Sequence, residues 1–415
     1  MKAESPGAGL RSILFATAVA GVLGYAIQLL APALLPDDAS YISFSVYWST
    51  LYLCVAALSG VQQEITRASR RVTNEPASPV LRQFVLIGAV TAVVVVTVLA
   101  VLFGPQILPG PTAFLAVMLS IGVAGYLLVA VLSGVFYGLR MWSAVAWITI
   151  ADAVIRAALV LTGLVAEWSI EWIALAVSVP FGLAFLIMWV LTRRHVVGAF
   201  RLDVGLRRLL INIASTVVAA AAMGLMMNGL PMLLGVTASD TGQATLAGLI
   251  LAITLTRAPI VVPLLALQSY LIAMLRGKGH EVRRRLLQAL GLAVAAVALL
   301  SLAAALVGPW LVGVVSDGRS VISPAMMAAI TAGAGIVAMM CVSGPALLGQ
   351  GRHAPYVAGW VVAAVATVAG LLLPLPLDTR VALILIVPPA MGVVVHLAAV
   401  WSGREATPAA SGADA

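Results

Sequence analysis

Twelve runs of roughly 20 apolar residues follow one another along the chain, and they constrain the fold more than any motif does. An α-helix rises about 1.5 Å per residue, so a run of that length crosses a hydrocarbon layer about 30 Å thick. The runs predict spanning helices over residues 10–33, 41–63, 83–104, 112–138, 142–165, 172–191, 209–235, 243–275, 286–308, 322–348, 354–373 and 381–401. The longest polar stretch between them, Glu64–Arg82, is too short to fold alone. Charged residues make up 9% of the chain, against about 25% in soluble domains. The expected fold class is therefore an all-α polytopic membrane protein without an aqueous domain. Lys2, Arg11 and the tripeptide Ala31-Pro32-Ala33 frame the first run as a signal peptide would be framed. Its core exceeds the 7–15 residues or so of such peptides, so it is read as a membrane helix.

The charges set an orientation. Of the 23 basic residues, 19 fall on one side if the runs alternate in direction, Arg319 and Arg380 fall on the other, and Arg156 and Arg257 lie within runs. Basic loops stay on the cytoplasmic side, which predicts a bacterial plasma-membrane protein with both termini cytoplasmic. The same placement explains the net charge of +8 without nucleic acid. Cys54 and Cys341 both lie in runs, and His195, His280 and His353 lie in loops without metal-ligand spacing. His396 reads as a core histidine. No phosphate-binding Gly-x-x-x-x-Gly-Lys motif, nucleophile–base pair or aspartate-rich loop occurs, so neither an enzyme nor a cofactor is expected.

Residues 192–208 form the mixed polar segment that divides the chain into an N-terminal six-helix lobe, 1–191, and a C-terminal one, 209–401; residues 402–415 read as a disordered cytoplasmic tail. Short echoes link the halves. Gln62 and Arg70 recur as Gln268 and Arg276, and the exit Ser133-Gly134 to Gly138-Leu139-Arg140 recurs as Ser343-Gly344 to Gly351-Arg352. A duplicated protein with pseudo-twofold symmetry along the membrane normal follows.

Polar groups inside the runs mark the candidate site. At 100° per residue Ser45, Ser49, Tyr52, Ala56, Ser59 and Gln63 share one helix face, and Arg67 extends it. Unpaired hydroxyls and amides cost about 1–3 kcal/mol or more in an apolar medium, so this face meets either another helix or a water-filled pathway. Asp152 and Arg156 stand one turn apart, as a structural pair or as a switchable pair whose carboxylate takes a proton. Arg257 has no acidic neighbour within two turns and precedes Pro259 and Pro263. A forked guanidinium beside a kinked helix suits a phosphate or diphosphate; the alternatives are snorkelling or a pair with Asp152. Asn212, Ser215, Asn228, Tyr25 and Gln28 fit interhelical hydrogen bonding or cavity lining equally. The basic loop 276–285 reads first as a topology determinant that touches anionic lipid.

Twelve helices in two lobes, the segment Gly60-Val61-Gln62-Gln63-Glu64-Ile65-Thr66-Arg67-Ala68 and the Gly-x-Arg exit resemble the MOP flippase superfamily, nearest to its polysaccharide-export, Wzx-like branch. The resemblance implies a MATE/MOP-like fold and a flippase for polyprenyl-diphosphate-linked oligosaccharide. It also implies a cationic cavity with Arg257, Gln268, Tyr52, Ser59, Gln63 and Arg67 on or near the pathway. Arg257 is expected to neutralise the diphosphate with Arg156 or Arg67 as helpers, Asn212 is a further cavity candidate, and Asp152 is the coupling candidate. Implied partners are the lipid-linked glycan, membrane lipids, and a polysaccharide polymerase or glycosyltransferases. The fourteen helices usual in lipid II flippases count against that branch. An ion-coupled small-molecule or drug antiporter, and a membrane enzyme or scaffold of envelope synthesis, stay open as alternatives.

Overall fold

The computed structural model describes residues 6–72, 79–108, 111–238, 242–266, 271, 274–275 and 280–402. Its helices are α1 (Pro6–Leu34), α2 (Asp38–Ala68), α3 (Pro79–Ile107), α4 (Thr112–Gly138), α5 (Trp142–Val165), α6 (Ile170–Val196), α7 (Leu206–Asn228), α8 (Leu230–Thr237), α9 (Gln243–Ala266), α10 (His280–Val315), α11 (Pro324–Gly349), α12 (His353–Leu371) and α13 (Leu377–Ser402). Among the described residues, twelve of these are long and apolar enough to cross a membrane, α8 being the exception. α3 and α10 expose Leu86, Val90, Val101, Leu292, Leu299 and Leu306, as helices facing lipid do.

The predicted runs match these helices to within about two turns, with one break; the last part of the run 243–275, beyond Ala266, lies largely outside the described residues. The run 209–235 divides at Gly229 into α7 and α8. Pro231 has no backbone N–H to give to the preceding turn, and the helix is interrupted just before it. The hydroxyl of Ser49 on α2 fills the gap: it donates to the Asn228 carbonyl and accepts from the Met232 N–H at 3.2 Å. At the start of α2, the Asp37 carboxylate accepts from the Ser40 N–H at 2.7 Å and caps the helix.

Packing repeats between the halves. In the first, α1 lies on α5, α2 and α3 lie on α4, and α6 lies on α4 and α5. In the second, α7 lies on α12, α9 and α10 lie on α11, and α13 lies on α11 and α12. These are two six-helix lobes with the same internal arrangement. They meet mainly along α2 and α7, which run antiparallel. Small residues permit the approach: a Cβ on Gly60 would lie 2.6 Å from the backbone of Thr216, and one on Gly224 would lie 2.5 Å from the Ala56 Cβ. The Thr216 hydroxyl donates to the Gly60 carbonyl at 3.0 Å.

The loops contain an element that the hydropathy pattern does not announce. Strand β1 (Ser69–Arg71) follows α2 and pairs antiparallel with β2 (Phe200–Leu202), in the segment between the lobes. Arg70 stands opposite Arg201, and a 3.2 Å ion pair from Arg70 to Asp203 offsets the like charge.

Candidate functional site

A cavity of about 570 Å³ lies between the lobes, walled by α1, α2, α4, α5 and α6 on one side and α7, α8, α9 and α12 on the other. Helix α2 gives it Ser45, Trp48, Ser49, Tyr52, Ser59 and Gln63. The polar face of this helix therefore serves two purposes. Ala56 and Gly60 meet α7 closely, while the residues flanking that seam look into the cavity.

The charges of the wall are few. Among the described residues only Asp152 and Arg257 line it with ionised side chains. Arg156 stands behind Asp152, 2% exposed. Its guanidinium donates to the Asp152 carboxylate and to the Val177 carbonyl of α6, and lies 4.0 Å over the Phe181 ring and 5.7 Å from the Tyr52 ring. Asp152 thus shows the cavity a carboxylate whose charge is balanced from behind. Arg257, on α9, is 8% exposed, and its Nη1 is buried without a hydrogen-bond partner among the described residues. Thr254, one turn earlier, lines the same wall. With one neutralised pair and one unopposed guanidinium, the cavity carries a net positive charge.

Other residues singled out from the sequence are placed elsewhere. Arg67 does not line the cavity. It is solvent-facing and donates to both oxygens of Glu64, at 2.8 and 2.5 Å. Asn212 also leaves the wall and donates to Glu64 at 2.7 Å. The reason is Glu64 itself: a carboxylate 3% exposed at the end of the seam draws in both neighbours. Ser59 lines the cavity with its hydroxyl turned back to the Ala56 carbonyl at 2.6 Å. Arg156 supports the wall and does not form it. Gln268 and the tail 403–415 lie outside the described residues. Tyr25, Gln28 and Asn228 line the cavity, and the Tyr25 hydroxyl donates to the Leu255 carbonyl across the lobes at 3.3 Å. Trp48, Tyr126 and Phe181 were not anticipated; in an apolar helix an aromatic residue carries no mark of which neighbour it faces.

His396 is fully buried, with Nδ1 2.9 Å from the Ser343 hydroxyl and Nε2 3.0 Å from the Tyr356 carbonyl. A carbonyl only accepts, so Nε2 carries the hydrogen and neutral Nδ1 accepts from Ser343. At the end of the molecule away from the basic loops, Arg319 donates to Ser316, Leu35 and Pro32 carbonyls and so ties the second lobe to the end of α1. No group of three or more His, Cys, Asp or Glu is placed to hold a metal among the described residues.

No protein-family model matches the chain. Over 393 residues it is 34% identical to Rv1510, an uncharacterized protein of Mycobacterium tuberculosis (strain ATCC 25618 / H37Rv), covering 92% of this chain and 89% of that protein. The chain belongs to the Rv1510 family. Another relative, Mb3654 of Mycobacterium bovis, is 35% identical over 396 residues, covering 92% and 90%. Among solved structures, this Rv1510-family chain is similar to the lipid II flippase MurJ in an inward closed conformation, with a TM-score of 0.65 at 12% identity over 94% of this chain and 87% of that one. It is also similar to an inward-facing multidrug resistance MATE family transporter of the MOP superfamily, with a TM-score of 0.56 at 12% identity over 92% and 93%. The Rv1510-family fold is thus the MATE/MOP fold.

Proposed function

We propose that this protein is a MOP-type flippase of the polysaccharide-export, Wzx-like kind, moving a polyprenyl-diphosphate-linked glycan across the bacterial plasma membrane by alternating access. The observation that carries the reading is Arg257: a buried guanidinium whose Nη1 has no partner among the described residues, in an interlobe cavity whose only other ionised wall residue among them is already neutralised. Such a group gains most from a multiply charged anion that brings its own acceptors. The fold it shares with MurJ and with MATE transporters supports movement of a substrate between two lobes. In this reading the termini and basic loops face the cytoplasm, the diphosphate meets Arg257, the glycan passes Tyr52, Ser59 and Gln63, and the polyprenyl tail stays in lipid. Net export then needs a gradient or consumption of product outside. Glycosyltransferases and a polysaccharide polymerase are the proposed partners.

The test is lipid-linked saccharide in cells depleted of this protein. Accumulation on the cytoplasmic leaflet, reversed by the intact protein but not by Arg257→Ala, is the expected result. No accumulation would overturn the lipid substrate.

A second reading, an ion-coupled antiporter, draws on Asp152, whose carboxylate faces the cavity. It predicts drug resistance on overexpression, abolished by Asp152→Asn. The net positive wall disfavours cationic drugs and ranks it second.

A further inference from the structure

The volume and the unlike walls of the cavity narrow the substrate. Water in the liquid occupies about 30 Å³ per molecule and packed organic matter is denser per heavy atom, so 570 Å³ takes on the order of 20–30 heavy atoms. A diphosphate with one sugar ring, or a phosphate with two, fills it. A long oligosaccharide does not.

The two walls also differ in what they bond. The α9 wall offers a cation, Arg257. The opposite wall offers Asp152 beside the aromatic rings of Trp48, Tyr52, Tyr126 and Phe181. Arg156 holds Asp152 through Oδ1, and the carboxylate is 19% exposed on the cavity side. An acceptor fixed from behind, among ring faces and edges, suits hydroxyl donors on a sugar whose C–H face is apolar.

We infer that the head group carried is small, one or two sugar rings on a phosphate or diphosphate, and that Asp152 reads its hydroxyls while Arg257 holds its anion. The inference rests on the flippase reading above. It goes beyond that reading in fixing the size of the cargo and the residue that distinguishes a sugar from a bare phosphate.

The experiment measures equilibrium binding to the purified full-length protein in detergent. The probes are three short-chain analogues: neryl diphosphate, neryl diphosphate bearing one pyranose, and neryl diphosphate bearing a linear pentasaccharide. The monosaccharide is expected to bind about tenfold tighter than the bare diphosphate, the worth of a hydrogen bond to a charged acceptor. The pentasaccharide is expected to lose that gain. In Asp152→Asn the single amide oxygen goes to Arg156 and leaves only a donor facing the cavity. The advantage of the sugar should then vanish while the bare diphosphate still binds. Pentasaccharide binding as tight as monosaccharide binding would overturn the small head group and leave the flippase reading intact. Binding of none of the three would instead overturn the flippase reading. Sugar discrimination unchanged in Asp152→Asn would overturn the role of Asp152. The size comparison uses the unaltered protein, so it holds even if the variant fails to fold.

Discussion

Replacing Arg257 with methionine should make the empty protein more stable and unable to hold an anion. Arg257 is 8% exposed and its Nη1 is buried without a partner among the described residues. An unsatisfied buried donor costs about 1–3 kcal/mol, and more when charged. Methionine reproduces most of the side-chain stem, brings no polar atom and adapts its rotamers to the space. Arg257→Met should therefore raise the stability of the ligand-free protein by about 1–3 kcal/mol, a rise in melting temperature on the order of 1–3 °C for a chain of this size. The same change removes charge-assisted hydrogen bonds to a phosphate, each worth about 1.5–3 kcal/mol, so affinity falls by about 10- to 150-fold. Thermal unfolding in detergent followed by tryptophan fluorescence, with and without neryl diphosphate, reads both effects. Ligand should raise the melting temperature of the unaltered protein and leave that of Arg257→Met where it was. A lower melting temperature of the empty variant would refute the reasoning, because Arg257 would then be holding the fold together. A ligand-induced shift that survives in the variant would refute the anion contact.

Three other perturbations probe the frame around the site. Gly60→Ala places a Cβ 2.6 Å from the backbone of Thr216 and Val217, which cannot rotate away, so α2 and α7 must part; a loss of about 1–3 kcal/mol in thermal stability is expected, and an unchanged melting temperature would show the seam to be loose. Arg319→Ala removes the ties to the Leu35 and Pro32 carbonyls at the end of α1. In a Gln28→Cys background it should speed labelling by a membrane-impermeant maleimide applied from that end, whereas equal rates would place the closure elsewhere. Asp37 is held below the usual carboxylate range by the Ser40 backbone N–H and hydroxyl, with a smaller contribution from Arg319. Its capping stabilisation is therefore complete above about pH 4, the unfolded value, and is lost as pH falls through the lowered folded value. Asp37→Ala should cost about 1 kcal/mol at neutral pH and flatten the acid limb of the melting-temperature profile, which would stay steep if other carboxylates dominate it.

The frame was legible in the sequence because a membrane helix announces itself by length and hydropathy alone. The break at Gly229 was not. Pro231 was visible, but Pro is tolerated in such helices where a neighbour supplies the missing bonds, and only the fold reveals Ser49 as that neighbour. The polar face of α2 shows the same limit. Periodicity put Ser45 to Arg67 on one line, and the line is real, but its members divide by what lies opposite: cavity for Tyr52 and Gln63, Gly224 of α7 for Ala56, Glu64 for Arg67. Spacing fixes a direction from the helix axis, not the partner found there. The pair of Asp152 and Arg156 was visible from its i, i+4 spacing. That the arginine would sit behind the carboxylate, on Phe181, depends on a helix contact that the sequence does not encode locally.

The two lobes share a frame and differ in its chemistry, and the difference fits the proposed cargo. The buried positions Ala153, Arg156, Ala157, Val160, Gly163 and Leu164 of α5 recur 207 residues on as Trp360, Ala363, Ala364, Thr367, Gly370 and Leu371 of α12. In that register Gly359 stands for Asp152 and Ala363 for Arg156. Each lobe still bolts its last two helices with one buried polar side chain: Arg156 of α5 to the Val177 carbonyl of α6, and His396 of α13 to the Tyr356 carbonyl of α12. In the second lobe the space beside Gly359 is taken by the His396 ring, which a Cβ there would strike. The first lobe thus spends a cation on its bolt and balances it with a carboxylate turned to the cavity. The second uses a neutral ring and is free to set its cation, Arg257, on the wall. Two identical walls would bind a head group equally well in either sense. On the proposed flippase reading, a neutralised acceptor facing an unopposed cation would bind the head group one way round, with the anion to α9 and the hydroxyls to α5, so that each lobe would hold a different part of one substrate.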